Sequence, residues 1–146
     1  MANTSGLFRT VAEKDYLGFW ANNILQARQV AEFLNLGKSD VAKVAHVAQK
    51  SVRYDEKIPR DVLERLMEIA NICSLVAQYF EGNVVKTALW FKTSNPLFGN
   101  ISPRDMIRFG RYEKLRRFVN DAIEENATRP VAAKPVHDKA TQSAAI

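Results

Sequence analysis

Apolar residues recur at spacings of three and four along most of the 146-residue chain, and alternating β-branched runs are absent. That pattern predicts an all-α protein. A first helix is expected from about Tyr16 to Leu36. Leu17, Trp20, Ile24, Ala27, Val30, Ala31 and Leu34 line one of its faces, and Gly37 supplies a stop. "KSDVAKVAHV" follows, with Lys38 or Ser39 near its cap, and then "AQKSVRYDEK". Pro59 suits the first turn of the next helix, where its missing N–H has no intrahelical partner to lose. From there Val62, Leu66, Ile69, Cys73, Val76 and Phe80 carry a wide apolar face that ends at Gly82.

A shorter helix is expected from about Val84 to Lys92, after which Pro96 and Gly99 break the pattern in "TSNPLFGN". "SPRD" restarts it. Ser102 is the expected N-cap, Pro103 the first helical residue, and Asp105 the third, where its charge suits the helix dipole. Gly110 interrupts. A last helix then turns Tyr112, Leu115, Phe118, Val119, Ala122 and Ile123 inward. From Ala127 onward two prolines and the lack of large apolar periodicity predict a disordered tail. The expected organisation is therefore an N-terminal arm (1–15), a helix-turn-helix bundle (16–81), a small helical domain (82–126) and the tail (127–146).

The helix-turn-helix expectation rests on "SDVAKVAHVAQKSVRYDEK". Val41, Ala42, Ala45, Val47 and Val52 occupy the apolar and small positions of that motif, and His46 stands at its turn, where glycine is usual and a left-handed backbone is needed. Asp55 stands where another apolar residue is more usual. On this reading Ala48–Tyr54 is a recognition helix in the major groove. It exposes Gln49, Lys50, Ser51 and Arg53, and Lys43 and Lys57 reach phosphates. Arg53 suits guanine and Gln49 suits adenine. The plainer alternative is a helical hairpin with a solvated basic face.

Charge fits a polyanionic partner without requiring one. There are 21 Lys and Arg against 16 Asp and Glu, a net charge of +5. Six basic and two acidic residues fall between Arg104 and Arg117. Catalysis finds no constellation. His46 and His137 lack metal-ligand spacing, no glycine-rich phosphate loop is present, and the pairs Asp55–Glu56 and Glu124–Glu125 read as solvated charges. No metal or cofactor is expected. Lone Cys73 lies on an apolar stripe and reads as a core residue in a reducing compartment. With no secretory pattern at the N-terminus and no run near the ~20 apolar residues that span a bilayer, a cytoplasmic protein away from membranes is expected.

"ALWFKTSNPLFGNISPRDMIRFGRYEKLRRFVNDAIEE" resembles the C-terminal toxin-binding domain of the MbcA/ParS/Xre antitoxin family. Trp90, Asn95, Pro96, Leu97, Gly99, Ser102, Pro103 and Gly110 fill its pattern in order. Ser94 stands where proline is common, and Asn100 where a second glycine is common. The resemblance covers about residues 17–126, since members often carry an upstream helix-turn-helix. It implies a type II antitoxin that neutralises a RES-domain, NAD-consuming toxin and, with it, represses its own operon. The implied toxin-binding residues are Trp90, Phe91, Asn95, Pro96, Phe98, Arg104, Arg108 and Arg111. Each of the three aromatics reads as either core or anchor. Phe98, at a loop tip, and the arginines are expected on the outer side, facing an acidic rim. The other reading is a stand-alone DNA-binding regulator. Either one calls for a homodimer, joined through the 59–81 or the 17–36 helix.

Overall fold

The computed structural model describes Ala12 and residues 14–128. Most of the expected N-terminal arm and nearly all of the expected tail lie outside the described residues. The described chain is mainly helical, with one small hairpin. Its order is β1 (Trp20–Ala21), β2 (Ile24–Leu25), α1 (Ala27–Phe33), α2 (Lys38–Ala45), α3 (Arg60–Tyr79), α4 (Val84–Lys92), α5 (Pro103–Arg108) and α6 (Tyr112–Thr128).

The first expected helix is the largest correction, because only its second half is helical. Asn22 and Asn23 adopt φ of 52° and 63°. They form the two-residue loop of an antiparallel hairpin that pairs Trp20 with Leu25. Two consecutive left-handed residues match the twist of a hairpin, and asparagine tolerates them better than most side chains. Asp15 pins the entry, its carboxylate accepting the N–H groups of Phe19 at 2.8 Å and Trp20 at 3.0 Å. Phe19, absent from the expected stripe, is consequently the buried ring, whereas Trp20 and Ile24 are 40% and 65% exposed. Helix α1 stops before Gly37. Asn35 turns left-handed at φ 56°, and the Leu36 N–H reaches Ala31 O at 2.8 Å, the 6→1 bond of a Schellman ending.

Helix α3 is the axis of the molecule. Residues 72–77 are buried without interruption, the mark of a helix surrounded on all sides. Helices α1, α2, α4 and α6 all pack on it. Buried residues from both sides of Gly82 belong to one continuous core, including Val41, Leu66, Ile72, Phe91, Ile107 and Leu115. Cys73 is fully buried there, and burial pushes its thiol well above the ordinary range.

Candidate interaction surfaces

The corner after α4 is built by caps. Asn83 accepts the Lys86 N–H at 2.9 Å to open α4, and Asn95 accepts the Leu97 N–H at 2.9 Å to open a 3₁₀ turn over Pro96–Phe98. Gly99 and Asn100 are both left-handed, at φ 72° and 67°. Asparagine at the second position therefore suits the turn. Asn95 and Ile101 bridge the two arms of the corner. Ser102 accepts the Asp105 N–H at 3.1 Å, with Pro103 as the first residue of α5, as the sequence predicts.

Inside this corner lie the expected anchors. Trp90, Phe91, Asn95 and Phe98 are all buried. Phe98 is not an exposed loop tip. Its ring meets Trp90 edge-on at 6.3 Å and Phe118 of α6 at 4.9 Å, so it packs inward. Pro96 and Leu97 take the outer side instead, Leu97 at 54% exposure. The Trp90 indole N–H is buried with no hydrogen-bond partner among the described residues.

Two of the expected rim arginines face the protein itself, the reverse of the expectation. Arg104 donates from Nε to Leu34 O and from Nη2 to Asn35 O, the latter at 2.8 Å. It thereby caps the carboxyl end of α1, where unpaired carbonyls carry partial negative charge. Arg108 donates from Nε to Asp40 at 3.2 Å and from Nη1 to Asp105 at 2.9 Å. Those hydrogen bonds, Asp105 first, raise its pKa further above the ordinary arginine value. Arg111 alone of the three is exposed.

The upstream set is rearranged more deeply. His46 does adopt the expected left-handed conformation, φ 61°, and the Val47 N–H closes on Ala42 O at 3.0 Å. The recognition helix over Ala48–Tyr54 does not form. Only Gln49–Ser51 make a single 3₁₀ turn, and Val52 is buried and extended. Asp55, the residue that departs from the motif, supplies the reason. Its carboxylate accepts from Arg53 Nε at 2.8 Å and from the Lys57 N–H at 3.1 Å, local bonds that compete with helix. Arg53 is thereby engaged, while Lys43, Gln49, Lys50 and Lys57 are exposed and Ser51 is half-buried.

Phe109 was not singled out by sequence, yet it brings the two sets together. It is 48% exposed, and Lys43 Nζ and Arg108 Cζ each lie 5.9 Å from its ring centroid, within cation–π reach. The available signal was that Met106 and Ile107 already fill the core stripe of α5, which leaves the next aromatic nowhere inward to go. Among the described residues no group of His, Cys, Asp and Glu could hold a metal ion, and no helix is long and apolar enough to cross a membrane. Comparison with family models, with curated proteins and with solved structures finds no match to this chain.

Proposed function

We propose that this chain is the antitoxin of a type II toxin–antitoxin pair, a cytoplasmic binding protein that holds a RES-domain, NAD-consuming toxin inactive. The observation that carries the reading is the ordered motif from Trp90 to Gly110, whose residues fold into a rigid corner capped by Asn95 and Ser102. Inhibition by docking favours such a surface, since little conformational entropy is lost on binding. With Phe98 inside, the docking side falls to Phe109 with its flanking cations and to Arg111. An exposed ring among cations suits an acidic, partly apolar partner surface. Co-expression with the RES-domain protein of the adjacent reading frame tests this. Phe109→Asp combined with Arg111→Asp is expected to free the toxin while the antitoxin's melting midpoint stays unchanged. Full protection by that variant removes this surface, and a wild-type chain that does not bind the toxin removes the reading.

Operator binding belongs to the same proposal, in a reduced form. Lys43, Lys50 and Lys57 are exposed and suit phosphates, whereas one 3₁₀ turn is too short to fill a major groove. Binding carried by these lysines weakens steeply as salt rises and discriminates little between sequences. A titration against operator and scrambled duplexes at two salt concentrations reads both properties. Strong sequence preference that survives Lys43→Ala and Lys50→Ala would sink this form.

A further inference from the structure

The charges of α6 run against its dipole. Lys114, Arg116 and Arg117 crowd its first half, while Asp121, Glu124 and Glu125 fill the second, whose last turn holds no basic residue. A helix favours the opposite order, with acids at its amino end and cations at its carboxyl end. Of the six basic residues between Arg104 and Arg117, the fold itself holds three. Arg104 is tied to α1 and its carboxyl turn, Arg108 to α2, and Arg116 donates to Glu113 at 2.7 Å. Arg111 belongs to the docking side. Lys114 and Arg117 remain. Both are exposed, they stand three positions apart on one face of the helix, and neither has an ion-pair partner among the described residues. Cations kept where the helix field disfavours them, and left unpaired, suit an anion from outside the chain.

We propose that Lys114 and Arg117 are phosphate contacts that carry a nucleic-acid duplex from Lys43 of α2 onto α6. The fold brings these two places to one end of the molecule. Arg65 of α3 donates from Nε to Val44 O at 2.8 Å, next to Lys43 in the last turn of α2. Its guanidinium also lies over the ring of Tyr112, the first residue of α6, at 4.2 Å from the centroid. Phe109, just before α6, reaches Lys43 Nζ at 5.9 Å. The carboxyl end of α2 and the amino end of α6 therefore meet. A phosphate backbone suits the ridge better than an acidic protein does. Lysine is depleted at protein interfaces, which form round apolar anchors, and the neighbouring ring, Phe118, is turned onto Phe98. Phosphates need only exposed cations, without the geometry that base edges demand. The inference rests on the operator-binding reading and extends its contact from the 43–57 lysines to a second helix.

The salt dependence of duplex binding by the full chain counts its phosphate contacts, since each lost contact flattens the plot of log K against log salt by about 0.9. Lys114→Ala with Arg117→Ala is expected to flatten it by about 1.8. Operator and scrambled duplexes should weaken equally, with far-UV circular dichroism unchanged. Asp121→Asn, one turn further along the same exposed face, is expected to tighten binding. A wild-type slope in the double alanine variant, where Lys43→Ala with Lys50→Ala does flatten it, overturns the inference and leaves operator binding standing. A wild-type chain that binds no duplex overturns both. A double variant that keeps its duplex slope but loses the RES-domain protein gives the ridge to the toxin, and overturns the inference likewise.

Discussion

Arg108 of α5 meets Asp40 of α2 across 68 positions of sequence, Nε to Oδ1 at 3.2 Å. Asp40 serves twice, because its Oδ2 also accepts the Gly37 N–H at 3.0 Å where α2 begins. Arg108→Ala removes two partly exposed ion pairs, to Asp40 and to Asp105, each an interaction of about 0.2–1 kcal/mol. Asp40→Ala loses the first of these together with a helix-start bond of about 0.5–2 kcal/mol. We expect the aspartate substitution to be the more destabilising of the two. Denaturant titration of both variants and of the double variant checks it, and equal losses would mean that the Gly37 bond contributes no more than the Arg108–Asp105 pair.

Arg104 is expected to matter more than a surface arginine should. Its guanidinium fork holds the carbonyls of Leu34 and Asn35, and charge-assisted hydrogen bonds contribute about 1.5–3 kcal/mol. Arg104→Ala should lower stability by an amount in that range. Arg104→Lys should recover only part of it, since an ammonium cannot span both carbonyls as a planar fork does. Urea unfolding of the three proteins gives the comparison. A lysine variant as stable as wild type would reduce the contact to simple charge.

How much of this was legible depended on whether the deciding interaction was local. The Ser102 cap, Pro103, the left-handed His46 and the inward face of α6 follow from residues within one or two turns of each other, and the sequence reads them correctly. The 3–4 spacing of Leu17, Trp20 and Ile24 misled, because it matches a helix face while Asn22–Asn23 quietly specify a hairpin loop. Phe98 misled for a different reason. Its burial is decided by Phe118, twenty positions away in another helix. Arg104 and Arg108 read as free charges since their partners, Leu34, Asn35 and Asp40, lie about seventy residues upstream. The exposed Val85 and Leu89 of α4 had a readable signal, as "VVKTALWFK" holds more apolar residues than one helix face can bury.

The 49–57 segment is expected to respond to acid. Arg53, chiefly by hydrogen bonding, holds the Asp55 carboxyl below the usual carboxylate range. A carboxylate whose folded pKa is depressed contributes order above its unfolded pKa of about 3.9 and loses it as pH falls through the folded value. The turn should therefore be unchanged through neutral pH and loosen only in acid below that range. Arg53→Ala should move the Asp55 titration back up toward the unfolded value. Carboxyl NMR titration of both proteins reads this directly, and an unmoved Asp55 midpoint would rule out Arg53 as the cause.

Phe98 and Leu97, adjacent in sequence, are expected to behave oppositely. Phe98 is 8% exposed and sits between the Trp90 and Phe118 rings. Truncating a buried phenylalanine costs about 3–5 kcal/mol, because packing and transfer are lost together. Phe98→Ala should therefore destabilise the whole fold, and any loss of toxin binding in that variant reports unfolding rather than a lost contact. Leu97 points outward at 54% exposure, so Leu97→Asp should leave stability within about 0.5 kcal/mol of wild type. Thermal melts of the two variants decide between the buried and exposed assignments. A stable Phe98→Ala protein would place the ring outside, and with it would return Phe98 to the docking surface.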